Sequence, residues 1–219
     1  LLVDLREQSP SAPVLPAASL ELARCRADQG RFEDALQLLA DTPPDSPLGP
    51  DIAFWRGRCE LRLGHADRSA TILAEAAAKY PSSPIAADVL LEQGAALSAA
   101  GRDTEALRVY DTLIDNASPP LRPRVLLARA GTSHRIGRFD DSLKDCQSLL
   151  HTKPAGPAAA DAMLLIAENE YQLKAFDRAE RAYASFIKQD PSHAHAWRAS
   201  VRRALCLVQL DRPAQASPL

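Results

Sequence analysis

Residues able to do chemistry are spread through this chain in patterns that argue against catalysis. His193 and His195 stand two apart on a predicted helix, so their rings diverge. A helical metal pair needs a spacing of three or four. Asp140–Asp141 and Glu33–Asp34 are adjacent carboxylates. Each pair opens a predicted helix, where acids offset the positive end of the dipole rather than share a proton. His134 follows Ser133 without an orienting acid, which leaves no nucleophile–base–acid triad. The phosphate loop GxxxxGK[ST], the dinucleotide pattern GxGxxG and the nucleophile elbow GxSxG do not occur. The expectation is a non-enzymatic chain with no cofactor and no metal.

Bulk composition narrows the remaining classes. Basic and acidic residues number 26 and 28, a formal net charge of −2, so no basic face for nucleic acid is expected. No apolar run reaches the roughly 18 residues of a membrane span. Hydrophobic residues make up 46% and aromatics 5%, a helical composition poor in strand formers.

The elements that must carry these residues follow from a repeat. GRFEDA begins at Gly30, GHADRS at Gly64, GRDTEA at Gly101, GRFDDS at Gly137, KAFDRA at Lys174 and DRPAQA at Asp211, with steps of 34, 37, 36, 37 and 37 residues. A period in this range marks a repeat array. In the second repeat, Pro50 and Asp51 suit the start of a helix, and Gly64 ends it. Asp67 opens a second helix, which Tyr80–Pro81 stops. Helix, glycine turn, helix and proline stop make an antiparallel helical hairpin.

Numbering each repeat so that the turn glycine is residue fifteen aligns the rest. Position eight is small: Ala23, Gly57, Gly94, Ala130 and Ala167. Position twenty is also small: Ala35, Ser69, Ala106, Ser142 and Ala179. Position twenty-four is larger: Leu39, Leu73, Tyr110, Cys146 and Tyr183. The small residues predict close helix approach. Cys25, Cys59 and Cys206 share position ten and are expected to be buried contacts. Equivalent positions on stacked helices lie about 10 Å apart, beyond the reach of about 7 Å that a disulfide allows. No CxxC pair occurs, and free thiols lean towards a reducing compartment.

These residues resemble the tetratricopeptide repeat family over nearly the whole chain. Phe32, Phe139 and Phe176 supply its aromatic at position seventeen, from which Ala66 and Asp103 depart. The resemblance implies an all-α α-solenoid of antiparallel hairpins wound as a right-handed superhelix. The expected division is a single array: 1–13 as the tail of a preceding repeat, full repeats at 16–49, 50–84, 85–120, 121–157 and 158–191, and a partial repeat at 192–219. Leu1 to Leu5 then close an earlier second helix, His193 to Gln209 form a first helix, and Pro213 opens a second. The Pro-rich stretches at 41–50 and 116–123 are read as turns between repeats. The ends are expected to be those of a segment of a longer array, or of an array that meets a partner or another copy.

In this family the first helices line a concave groove. Carried over by position, the resemblance places Arg24, Arg58, Arg62, His134, Arg135, Glu168 and Tyr171 there, with Asp28, Asp51, Phe54, Asp88, Leu91 and Arg124 around them. Arg24 and Arg58 share one position in adjacent repeats. With Arg62 they offer three guanidiniums to an acidic segment or a terminal carboxylate. The alternative is ordinary solvated charge, partly neutralised by Asp28 and Asp51. Phe54, Leu91 and Tyr171 read either as apolar anchors or as core, with core favoured for Phe54 and Leu91.

The leading expectation is a scaffold that binds a partner protein or peptide, acidic or carboxylate-terminated, along that groove. Residues 79–114 resemble the repeats of bacterial envelope proteins, which implies a periplasmic or envelope-associated place; the free thiols favour cytoplasm. The alternatives are a regulatory or substrate-recruiting arm of a larger enzyme or signalling protein, and self-association through uncapped ends.

Overall fold

A computed structural model describes residues 15–40, 46–153 and 156–216. Among them eleven α-helices follow one another: α1 (Leu15–Asp28), α2 (Phe32–Ala40), α3 (Gly49–Arg62), α4 (Ala66–Lys79), α5 (Ala86–Ala99), α6 (Asp103–Ile114), α7 (Arg122–Arg135), α8 (Phe139–His151), α9 (Pro157–Gln172), α10 (Phe176–Gln189) and α11 (Ala196–Gln209). A single 3-10 turn, Pro213–Ala216, stands where a second helix was expected to open. The described residues contain no strand, and the fold class is all-α, built from helical hairpins.

Every odd-numbered helix ends on the same hydrogen-bonded device. The N–H of Arg31 reaches back to the carbonyl of Arg26 at 2.9 Å. The same bond recurs from His65 to Glu60 (2.9 Å), Arg102 to Leu97 (2.9 Å), Arg138 to Ser133 (2.8 Å), Ala175 to Glu170 (2.9 Å) and Arg212 to Leu207 (2.8 Å). It satisfies a carbonyl that the helix end would leave open, and it requires left-handed backbone at the residue before the donor. Glycine meets that need four times, but Lys174 (φ 58°) and Asp211 (φ 55°) adopt it with a side chain in place. The even-numbered helices then start with acids in the first turn, such as Glu33–Asp34, Asp67, Asp140–Asp141 and Asp177. Arg31, Arg102 and Arg138 pair with acids three residues on: Asp34, Glu105 and Asp141. The hydrogen bond from Arg138 holds the Asp141 carboxyl below its ordinary range.

Hairpin packing is small against large. Ala23, Ala130 and Ala167 are fully buried, as are Ala35, Ala106, Ala179, Ser69 and Ser142. So are the larger partners Leu39, Leu73, Tyr110, Cys146 and Tyr183. A methyl group on Gly57 would sit 2.5 Å from Leu73 Cγ, and one on Gly94 would fall within the Tyr110 ring edge. These glycines are therefore spacers between helices, unlike the turn glycines.

The helices group into two compact units, Leu1–Leu113 and Ile114–Leu219. In the first unit α2 lies on α3 and α4 on α5, while the first helices α1, α3 and α5 touch in succession. In the second, α8 lies on α9, α10 on α11, and α7 touches α9. Each unit is thus a stack of hairpins. The expected tail of a preceding repeat at 1–13, Pro154 and part of the 41–50 turn lie outside the described residues.

Two expectations need correction. Cys59 and Cys206 are buried, but Cys25 is exposed. Position ten faces the preceding hairpin, and no described helix stands on that side of α1. His193 and His195 are not helical, since α11 begins at Ala196. They sit in the preceding turn, where the His195 N–H donates to His193 Nδ1 at 3.2 Å and the rings lie 5.5 Å apart.

Gly94→Ala is expected to lower stability by about 1–3 kcal/mol through overpacking, more than the roughly 1 kcal/mol that alanine gains in a helix. A rise in the urea midpoint would show that Tyr110 does not set this spacing. Lys174→Gly is expected to do the opposite. Relief of a left-handed side chain, about 1–2 kcal/mol, exceeds the added chain entropy of about 0.4–1 kcal/mol, so the midpoint rises.

Candidate partner-binding site

In the first unit the exposed edge of α1 and α3 gathers aromatic rings and guanidiniums. Trp55 is half-buried, fixed edge-on against Phe54 with ring centroids 5.8 Å apart. Arg58 follows one helical turn later and lies 5.1 Å from the centroid of the Trp55 ring and 6.0 Å from that of Phe54. Arg24 reaches the same indole from α1 at 5.7 Å while donating to the Glu21 carboxylate at 2.9 Å. A guanidinium stacked on an indole gains about 0.5–1 kcal/mol at an exposed site and keeps its N–H edge free for another acceptor. Next to it, Ala27, Asp28, Phe32, Trp55, Arg58, Cys59 and Arg62 line an open cleft of about 250 Å³.

Neither Arg58 nor Arg62 has a carboxylate partner among the described residues, unlike Arg129, Arg178 and Arg203. Arg129 holds Asp145 through two bonds of 2.6 and 2.8 Å within the α7–α8 hairpin. Arg178 holds Glu170 at 2.8 Å, and Arg203 holds Glu180 at 2.7 Å. Glu60 is buried and shared by His65 (2.7 Å) and Arg68 (3.4 Å), across the α3–α4 turn. The pairs of Arg129, Arg178 and Glu60 close hairpins, and Arg203–Glu180 ties α11 to the hairpin before it. The Arg58–Arg62 edge closes nothing.

In the second unit the candidate residues behave differently from one another. His134 Nδ1 lies 2.7 Å from Asn169 Oδ1, and Asn169 Nδ2 donates to Ser142 Oγ at 2.8 Å, a chain that joins α7, α9 and α8. Since the amide oxygen only accepts, the His134 proton sits on Nδ1. Arg135 is exposed. Glu168 is buried, 3.7 Å from Arg198 of α11. Tyr171 stands edge-on to Phe176 at 5.7 Å, and Arg202 covers its ring at 4.8 Å. Glu168 and Tyr171 thus serve the α9–α11 contact instead of an open face. Leu91 is core and Phe54 is half-buried. Trp55, the ring on which the arginines rest, escaped the reading by position. Its signal is the i, i+3 spacing of Trp55 and Arg58 on one helix face.

Three of the four thiols are shielded. Burial pushes Cys59 and Cys206 up to about 11 and Cys146 up to about 12. Burial, then the nearby Glu168, raises the Tyr183 phenol as well. The described residues contain no cluster of three or more His, Cys, Asp or Glu able to hold a metal ion.

A family model described as tetratricopeptide repeat matches residues 4–50, 38–84, 91–160, 137–194 and 164–217. The chain belongs to the tetratricopeptide repeat family. Among solved structures it is similar to a tetratricopeptide repeat protein from Parabacteroides merdae, with a TM-score of 0.72, 19% identity and coverage of 91% of this chain and 75% of that one. A tetratricopeptide repeat protein of Thermus thermophilus aligns at TM-score 0.60 and 21% identity over 88% of this chain and 99% of that one. A signal-transduction ATPase with a tetratricopeptide repeat sensor, from Pyrococcus horikoshii, aligns at TM-score 0.74 and 16% identity over 92% of this chain but 34% of that one. At these identities the structures establish the fold. No curated protein matches the chain.

The buried thiols of this tetratricopeptide protein set two expectations. Under native conditions a thiol reagent should count one reactive cysteine, Cys25, and four after denaturation; more than one in the native state would contradict the packing. The unfolded chain releases thiol protons near pH 8.5, and the folded chain holds them to about 11. Above the lower value the unfolded state binds fewer protons, so stability should fall as pH rises across that window. A flat urea midpoint between these limits would be the contrary result.

Proposed function

We propose that the chain is a protein-interaction module whose first unit binds an acidic segment or a terminal carboxylate across α1 and α3. The observation that supports it is Arg58, stacked on Trp55 and without a carboxylate of its own, beside the equally unpartnered Arg62. Stacking holds the guanidinium plane in place before a guest arrives, so less side-chain entropy is lost on binding. A carboxylate at the cleft then takes charge-assisted hydrogen bonds from Arg58 and Arg62, while Trp55 and Phe32 offer apolar surface to the neighbouring side chain. The function is recognition by shape and charge and needs no reacting group. Residues 79–114, with their likeness to envelope repeats, make the bacterial envelope the first place to seek such a partner.

A second reading is a regulatory or recruiting arm of a larger protein. Its support is the Pyrococcus horikoshii structure, in which a repeat array of this fold is the sensor of an ATPase.

The test is a pull-down and a fluorescence-anisotropy titration with an acidic peptide, once with a free and once with an amidated C-terminus. Arg58→Glu is expected to weaken binding at least about tenfold, the loss of one charged hydrogen bond. Reversing Arg24, Arg58 and Arg62 together should abolish it. Helicity by circular dichroism should be unchanged, and affinity should fall with salt. Equal affinity of wild type and triple reversal would end the proposal.

A further inference from the structure

The cleft between α1 and α3 of the first unit holds charge of both signs. Asp28, the last residue of α1, lines it together with Arg58 and Arg62 of α3. Read from the sequence, Asp28 would neutralise those arginines in part. In the structure it forms no ion pair with either, nor with any other cation among the described residues. The neighbouring acids are committed: Glu21 to Arg24 at 2.9 Å, Asp34 to Arg31, and Glu60 to His65 at 2.7 Å. Asp28 is also badly placed for the helix that carries it. At a helix C-terminus the open carbonyls present negative partial charge, and a cation is favoured. Arg62 is that favourable choice at the same repeat position, as the last residue of α3. An acid that opposes its own helix and gains no partner within the fold breaks a local rule, and such breaches concentrate at functional sites.

Geometry keeps the opposite charges apart. Asp28 and Arg62 share position thirteen on successive first helices, and packed helices run about 8–10 Å apart. Arg58 is held on Trp55, 5.1 Å from the ring centroid. The rest of the lining, Ala27, Phe32, Trp55 and Cys59, is apolar. We infer that the guest is a chain end whose last residue is basic. Its terminal carboxylate goes to Arg58 and Arg62, and its side-chain ammonium goes to Asp28. This rests on the carboxylate-binding reading above and narrows it. Lysine fits because a flexible four-carbon stem carries its ammonium across the gap and lays methylenes on the apolar lining. Every charge of the cleft then meets its opposite. An acidic side chain in mid-segment would instead bring Asp28 a second negative charge and nothing to pair with.

Two fluorescent peptides of one sequence, ending in a free carboxylate on lysine or on norleucine, can be titrated by anisotropy against the 219-residue chain. Norleucine keeps the stem and lacks the ammonium. Wild type is expected to bind the lysine peptide about threefold to fivefold more tightly, the worth of an exposed ion pair. Asp28→Asn should bring the two affinities together, and Asp28→Glu should restore the preference. Because Asp28 opposes its helix, Asp28→Asn should leave the urea midpoint unchanged or higher. Equal binding of both peptides by wild type, with Arg58→Glu weakening both, overturns this inference and leaves the carboxylate reading standing. A lysine preference that survives Asp28→Asn overturns it as well, and so does a fall in the urea midpoint of that variant. Binding of neither peptide, or binding indifferent to Arg58→Glu, removes the carboxylate reading and this inference with it.

Discussion

The fold depends on the contact between a small residue in the middle of each first helix and a larger one in the middle of its partner. Gly57 under Leu73 and Gly94 under Tyr110 are its tightest forms, since neither glycine has room for a methyl group. Ala23 shares a core cluster with Leu39 and Ala167 one with Tyr183, the same small-against-large pairing. This contact sets how near two helices approach. That separation decides where the next hairpin rests, and so which side chains of a first helix are covered. The turn device at the end of each first helix serves the same end, because it returns the chain at one fixed angle. Lys174 and Asp211 adopt the same left-handed backbone without glycine.

Charge is layered on this scaffold in two ways. Among the buried carboxylates, Glu60, Asp145 and Glu170 are each met by a cation of the same hairpin, and Glu168 by Arg198 of the next. Such pairs cost about as much in lost hydration as they return. Their contribution is to fix one arrangement, since a shifted hairpin would strand a buried carboxylate. The Arg24, Arg58 and Arg62 edge is of the other kind. Arg24 and Arg58 rest on aromatic surface, and Arg24 alone of the three has a carboxylate partner among the described residues.

Much of this architecture is written in the order of residues. The turn glycines, the small residues at positions eight and twenty and the proline stops are local requirements, so a single sequence reveals them. Relations between repeats are harder to read. Cys25 shares its position with Cys59 and Cys206, yet burial at that position depends on what stands in front of the helix. Glu168 lies at a groove position by number, but Arg198 of α11, in the next repeat, covers it. His193 and His195 read as helical because the alanine-rich run behind them is; the turn geometry shared with Ser83 and Ile85 decides otherwise. Trp55 stands out once Arg24 and Arg58 are seen to approach one ring from two different helices.

The hydrogen-bonded chain from His134 through Asn169 to Ser142 has a consequence for the imidazole. Its proton position is dictated by an amide that belongs to the next hairpin, and that amide is in turn oriented by a hydroxyl on a third helix. Sliding α9 past α7 would release the ring to move its proton to the other nitrogen. The protonated edge of His134 thereby records whether neighbouring hairpins are in register, a mechanical quantity expressed as a tautomer.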